Sequence, residues 1–192
     1  MNEITVERIV GRGVSSAEVR AWVVRYIVER VRPKTILDLG SGVGIYGAMI
    51  HAANPKIGMI ALDGFLPYLL QEASRASYGG LLWLPIEMIV DGTVSVCTDL
   101  TICMDVIEHF DKPTARRVLA LPGRMIVSTP LFDYRQGPVG GNSLEEHRCH
   151  FTEGELNALG FGMLVKFDHV ALDHQHGEIG AFEKGVERCG RS

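Results

Sequence analysis

The ten residues Thr35-Ile36-Leu37-Asp38-Leu39-Gly40-Ser41-Gly42-Val43-Gly44 constrain this chain more than any other stretch. A β-branched, apolar run leads directly into closely spaced glycines, and Gly44 to Ala53 then reads as a helix. A strand, a tight turn and a helix accommodate that pattern, and this unit is the building block of a parallel sheet. The glycines let a ligand approach bare backbone, with the helix N-terminus behind it. In open α/β sheets ligands bind at the carboxyl ends of the strands, where this turn lies.

The remaining sequence repeats the alternation. A helix is predicted over Ser16–Val31, opened by a capping box of Ser15 and Glu18, with Val19, Trp22, Val23, Tyr26 and Ile27 at helical spacing and Pro33 as its stop. Ile57–Leu62 reads as a strand and Leu66–Ala76 as a helix. Leu81–Leu84 and Glu87–Val90 both read as strand, and Asp91-Gly92 is a turn dipeptide. Asp99–Met104 is a buried strand, Thr114–Leu121 a short helix and Arg124–Ser128 another strand. Residues 130–146 form a long loop of the kind that serves as a lid or binding loop. A helix capped by Thr152 and Glu155 precedes two last strands, Phe161–Val170 and Glu178–Glu183. The expected fold is a doubly wound, Rossmann-like α/β sandwich: a mostly parallel sheet with helices on both faces and a terminal antiparallel hairpin at its edge.

A chain of 192 residues favours one domain, and 46% hydrophobic with 22% charged residues is the composition of an ordinary globular protein. Residues 1–34 read as a helical cap on the domain formed by 35–192. That leading segment holds seven Lys/Arg and four Asp/Glu, so its +3 leaves −7 for the rest of a net −4. It reads as a solvated helix face, with a cover over an anionic ligand as the alternative. The acidic balance argues against duplex DNA as the main partner. No apolar run is long enough to span a membrane, and the N-terminus lacks the pattern of a signal peptide. Cys97, Cys103, Cys149 and Cys189 form no C-x-x-C pair; the first two read as small core residues, and the chain is expected to be cytoplasmic.

The acids around the glycines narrow the ligand. Gly42-Val43-Gly44-Ile45-Tyr46-Gly47 satisfies the dinucleotide fingerprint G-x-G-x-x-G. Asp38, two residues before the first glycine, suits a pyrophosphate poorly and suits a ligand with a cationic end, such as an ammonium group. Asp63, about twenty residues past the loop, can accept hydrogen bonds from both hydroxyls of a ribose. A ribose with a positively charged amino-acid tail describes S-adenosyl-L-methionine better than NAD.

With these residues the chain resembles the class I S-adenosylmethionine-dependent methyltransferases, from about Ile36 to Phe161. Asp38-x-Gly40-x-Gly42-x-Gly44 looks like their motif I, Asp63 stands where they place the ribose-binding acid, and Phe65-Leu66-Pro67-Tyr68-Leu69 is also family-like. The resemblance implies a seven-stranded sheet ending in a reversed hairpin. It also implies a cofactor site of Asp38, Gly40, Ser41, Gly42, Gly44, Tyr46, Asp63, Gly64, Phe65 and Asp105. Asp91 is the candidate for the adenine amino group; the alternative is that Asp91-Gly92 turns a hairpin between Glu87–Val90 and Thr93–Val96.

Asp105-Val106-Ile107-Glu108-His109 resembles the motif IV region of small-molecule methyltransferases, including those of ubiquinone biosynthesis, beside the methyl-transfer centre. Asn-Pro-Pro-Tyr and Pro-Cys signatures are absent, which disfavours methylation of exocyclic base nitrogens and of cytosine C5. Catalytic candidates are therefore His109, Glu108 and Asp105. His109 is the natural base for a hydroxyl, since imidazole titrates near neutrality; alternatively it begins a helix and hydrogen-bonds backbone. Asp105, Glu108 and His109 with the later His147 also resemble the Glu-x-x-Glu-His plus His metal set of small-RNA 3′-end 2′-O-methyltransferases, with Asp105 one methylene shorter. Such ligands would suit Mg, Mn or Zn. Asp173-His174-Gln175-His176 reads as a solvated hairpin loop.

The leading expectation is O-methylation of a small-molecule acceptor, with a homodimer compatible. The alternatives are a metal-dependent RNA-end methyltransferase and a noncatalytic cofactor-binding partner subunit. Asp38 disfavours an NAD dehydrogenase.

Overall fold

The structure, a computed structural model, describes residues 7–8, 16–133, 135–139, 141–170 and 176–185. In chain order the strands are β1 (Glu7–Arg8), β2 (Thr35–Leu39), β3 (Gly58–Asp63), β4 (Gly80–Trp83), β5 (Leu100–Met104), β6 (Met125–Pro130), β7 (Phe161–Val170) and β8 (His176–Lys184). The helices are α1 (Ser16–Tyr26), α2 (Ile45–Ala53), α3 (Leu66–Leu69), α4 (Glu72–Ser77), α5 (Glu87–Val90), α6 (Lys112–Leu119) and α7 (Glu153–Ala158).

One sheet runs in the order β1-β7-β8-β6-β5-β2-β3-β4. β2 lies between β3 and β5 and pairs parallel with both, while β8 is antiparallel to β6 and β7. The seven strands and the reversed hairpin that the resemblance implies are present, while Glu87–Val90, also expected as a strand, is not one of them. The eighth, Glu7–Arg8, adds two parallel pairs against Val165 and Lys166 of β7, too short a run for periodicity to reveal. The chain leaves β2 toward β3 and β4, then returns to its other side through β5. The order therefore reverses at β2 and opens a crevice at the carboxyl ends of β2 and β5.

Alternation along the central strands builds two apolar layers. Ile36, Met59, Ile102 and Ile126 face Val19, Val23 and Ile27 of the N-terminal helix and Ile50 of α2. Leu37, Leu39, Cys103 and Val127 face Ala115, Val118 and Leu119 of α6 and Leu156 of α7. The N-terminal helix continues from Tyr26 as a π-helical turn to Val31, where Arg32 turns left-handed (φ 52°) before Pro33. Its expected capping residue Ser15 and the Asp173–Gln175 loop lie outside the described residues. At α7 the predicted capping box forms: Glu155 N–H donates to Thr152 Oγ1 at 3.2 Å and Thr152 N–H to Glu155 Oε2 at 2.9 Å.

Three local expectations are corrected. Glu87–Val90 is helical, because four apolar-rich residues satisfy either period and Ile86 is buried as the turn begins. Leu66–Ala76 divides into α3 and α4 at Leu70–Gln71, so that Ser74 docks on the glycine turn; a Cβ on Gly44 would stand 2.9 Å from the Ser74 backbone. Cys97 is exposed, whereas Cys103 is fully buried as expected. No helix among the described residues is long and apolar enough to cross a membrane.

Candidate functional site

The crevice at the strand ends is a cavity of about 380 Å³. The glycine turn forms its floor. Gly40 (φ 70°) must lack a side chain because a Cβ there would lie 2.5 Å from Val106 Cγ2. At Gly42 (φ 54°) a Cβ would meet nothing within 4 Å, so the bare backbone fronts open space. Between them the Ser41 hydroxyl is buried and finds no hydrogen-bond partner among the described residues. A buried hydroxyl without a partner on a cavity wall is suited to a polar group from outside the protein.

Two acids frame this floor. Asp38, 2% exposed, accepts a hydrogen bond from the Tyr78 hydroxyl. Burial pushes its carboxyl up to about 7; the Tyr78 hydrogen bond opposes that rise and the charge of Asp63 adds to it. Asp63, at the end of β3, accepts the Phe65 N–H through Oδ1 and the Gly42 N–H through Oδ2, both at 2.8 Å. Burial raises its carboxyl, and those two backbone donors counter the rise. Each oxygen retains acceptor capacity for a further donor. Tyr46 also lines the cavity, and burial raises its phenol well above the ordinary range.

Not every cofactor candidate reaches the cavity. Asp63 and Tyr68 line it, but Gly64 and Phe65 lie behind them. The Gly64 carbonyl accepts the Trp83 indole N–H at 3.1 Å, and Phe65 packs edge-on against Tyr68 with centroids 4.9 Å apart. Gly44 serves as the N-cap of α2. Asp91 is exposed and its Oδ1 accepts the Thr93 N–H at 3.0 Å, closing a turn away from the lining residues. Its expected wall is taken by Pro85, Ile86 and Glu87, since α5 replaces the expected strand and carries Asp91 beyond its end.

The other half of the cavity is built by the segment after β5. Asp105 adopts a left-handed backbone (φ 57°), its N–H donates to the Ser128 carbonyl at 2.9 Å, and its Oδ1 accepts the Ser128 hydroxyl at 2.7 Å. Glu108, 2% exposed, accepts the Thr129 hydroxyl at 3.1 Å. Burial, then the charge of Asp105, raises its carboxyl well above the carboxylate range. The Glu108 carbonyl accepts the N–H groups of Arg148 and Cys149 at 2.8 and 3.1 Å, which draws residues 147–149 against the turn Ile107–His109. The His147 and His109 rings thereby meet edge to face at 4.9 Å.

One donor atom from each of Glu108, His109 and His147 lies within 4.8 Å of the others. A carboxylate with two imidazoles is a donor set for a divalent transition metal, and a cation there would relieve the buried Glu108 charge. Asp105, the fourth candidate, is not in this group and turns to Ser128 instead. His109 Nδ1 lies 3.4 Å from the Glu146 carbonyl and Nε2 3.9 Å from Glu145.

The turn Asn142–Glu145 closes part of the rim. Asn142, Leu144 and Glu145 line the cavity with Arg148, and Leu144 packs toward Gly64. Arg20 of α1 completes the opposite wall. Sequence reasoning flagged the loop and the basic N-terminal segment but did not single out Arg20, Asn142 or Tyr78. The partners of Tyr78, Asp38 and the Gly47 N–H, lie 40 and 31 residues away, where no local motif marks them, whereas Asn142 caps the short turn Ser143–Glu145 by accepting the Leu144 N–H at 3.0 Å.

No protein-family model matches the sequence, and no curated protein does. Solved structures share the fold. Magnesium protoporphyrin IX methyltransferase (ChlM) from Synechocystis PCC 6803, with bound SAH, superposes with a TM-score of 0.58 at 14% identity, covering 91% of this chain and 90% of that one. The methyltransferase domain of bacterial CtHen1-C gives 0.55 at 20% identity, covering 88% and 97%. An O-methyltransferase family protein from Burkholderia thailandensis gives 0.55 at 15% identity over 89% of this chain, which spans 57% of that protein's length. The chain therefore has the class I methyltransferase fold.

Proposed function

We propose that this protein is an S-adenosyl-L-methionine-dependent methyltransferase acting on an oxygen of a small-molecule acceptor. One observation carries the reading: a single cavity joins the Asp38–Ser41–Asp63 floor to His109 and Asp105. The orphan Ser41 hydroxyl and the open space before Gly42 fit a ligand with an amino-acid arm. Asp38 would receive its ammonium, Ser41 a further polar contact of that arm, and Asp63 the ribose hydroxyls. Ile86 offers an apolar surface on the adenine side.

When bound, the cofactor supplies an electrophilic methyl group on a sulfonium. The protein's task is to align an acceptor with it, exclude water and hold the acceptor's proton. Val106, Ile86 and Leu144 give the cavity apolar wall surface. With Nδ1–H directed to the Glu146 carbonyl, His109 Nε2 carries the lone pair that takes a hydroxyl proton, and Glu145 stabilises the resulting imidazolium.

A second reading is favoured by the cluster of Glu108, His109 and His147. A divalent cation held there would polarise the acceptor hydroxyl, His109 would be a ligand rather than a base, and the 2′-hydroxyl of an RNA 3′ end would be a suitable acceptor. The net charge of −4 counts against an RNA substrate.

Calorimetric titration with S-adenosylmethionine, with NADH as control and with and without manganese, tests both readings. Micromolar binding of S-adenosylmethionine alone is expected. Absence of binding overturns the cofactor assignment, and a binding isotherm for manganese titrated alone selects the second reading.

A further inference from the structure

Tyr78 stands in the link between α4 and β4, outside the cavity lining, and its hydroxyl reaches the glycine turn from behind. It donates to Asp38 Oδ2 at 2.5 Å and accepts the Gly47 N–H at 3.1 Å. Gly47 belongs to the first turn of α2, whose N-cap Gly44 has no side chain to receive such a donor. A phenol 31 residues away in sequence therefore caps the helix and holds the acid of the preceding strand with the same oxygen. The ring can approach only because Gly47 is bare: a Cβ there would lie 2.2 Å from Tyr78 Cζ. The last glycine of the Gly42–Gly44–Gly47 match thus makes room for an aromatic ring of the protein itself.

We propose that Tyr78 is a positioning residue for the cofactor's amino-acid end, holding the Asp38 carboxylate in place for a ligand ammonium group. The inference rests on the S-adenosylmethionine reading above. The groups around Asp38 explain why one hydroxyl matters. Asp63 from β3 and Tyr46 from α2 interact with it electrostatically, as does the buried Cys103 of β5, and Arg20 of α1 shares the cavity wall. Burial and Asp63 both favour the neutral acid, while the Tyr78 donor favours the anion. Its acceptance of the Gly47 N–H polarises the hydroxyl and strengthens that donation.

The test uses two ligands that share the adenosine and differ in the arm: S-adenosylhomocysteine, which carries the ammonium, and 5′-methylthioadenosine, which lacks it. Tyr78→Phe keeps the ring and removes the donor. Calorimetry from pH 6 to 8 should show wild-type affinity for S-adenosylhomocysteine rising about tenfold as Asp38 ionises, with methylthioadenosine nearly flat. In Tyr78→Phe the first affinity should fall on the order of fivefold at pH 7, its rise should move to higher pH, and the second should hold. In an Asp38→Asn background, Tyr78→Phe should no longer move the profile. Equal losses for both ligands, or no loss for either, overturn the role of Tyr78. A wild-type protein that binds neither ligand overturns the cofactor reading instead.

Discussion

The Asp63 carboxylate accepts the Gly42 N–H at 2.8 Å, so the end of β3 is tied to the turn that follows β2. Its other oxygen accepts the Phe65 N–H, and one acid thereby fixes the glycine turn and the start of the next loop together. The residue assigned to the ribose is also a structural clamp on the floor beside it.

Asp63→Ala is therefore expected to fail twice. Two backbone donors lose their acceptor, at about 1–3 kcal/mol of stability, and S-adenosylmethionine affinity should drop tenfold or more. Urea denaturation measures the first loss and calorimetry the second. Unchanged affinity would place the ribose elsewhere.

Asp38 makes stability depend on pH. Its carboxyl titrates near 4 when unfolded and at about 7 in the fold, so the folded state binds the proton more tightly. The stabilisation is complete below about pH 4 and is lost as pH rises through 7. Asp38→Asn, which keeps an acceptor for Tyr78, should gain about 1–3 kcal/mol relative to wild type between pH 5 and 8 in the absence of ligand. Denaturation midpoints at the two pH values decide this; no relative gain would mean that Asp38 is ionised throughout.

Gly47→Ala should destabilise the fold by about 1–3 kcal/mol or more, because the added methyl occupies the space of the Tyr78 ring. Pairing it with Tyr78→Ala should recover part of that loss. Additive losses in the double variant would show that the ring and the glycine do not compete for space.

His109→Ala should reduce turnover about 10²–10⁴-fold while leaving S-adenosylmethionine affinity within a fewfold, as expected for a base at the acceptor end. His147→Ala separates the two readings. If a metal is bound, that variant should lose manganese binding by calorimetry and EDTA should reproduce its loss of activity. Activity that survives both treatments would leave His109 as a base.

Legibility followed the range of the interaction. β2, β3, β5 and the α7 capping box were readable because their signals lie within a few residues: β-branched runs, glycine turns, and a Thr–Glu pair three apart. Glu87–Val90 was not, since four residues are too few to separate a period of 3.6 from one of 2, and the displaced Asp91 followed from that error. Asp105, Glu108 and His109 were visible as a cluster. His147 joins Glu108 and His109 because the Arg148 and Cys149 N–H groups bond the Glu108 carbonyl, whereas Asp105 bonds Ser128 because β5 pairs with β6.

By itself the sequence determined the alternating fold, the position of the crevice and the acids at its floor, because strand and helix periods and turn glycines act locally. The tertiary structure decided which donors converge. Tyr78 meets Asp38 across 40 residues, and the turn Ser143–Glu145 with its cap Asn142 stands at the rim. Those meetings depend on how layers pack onto the sheet, and packing at long sequence separation leaves no periodic trace in the chain.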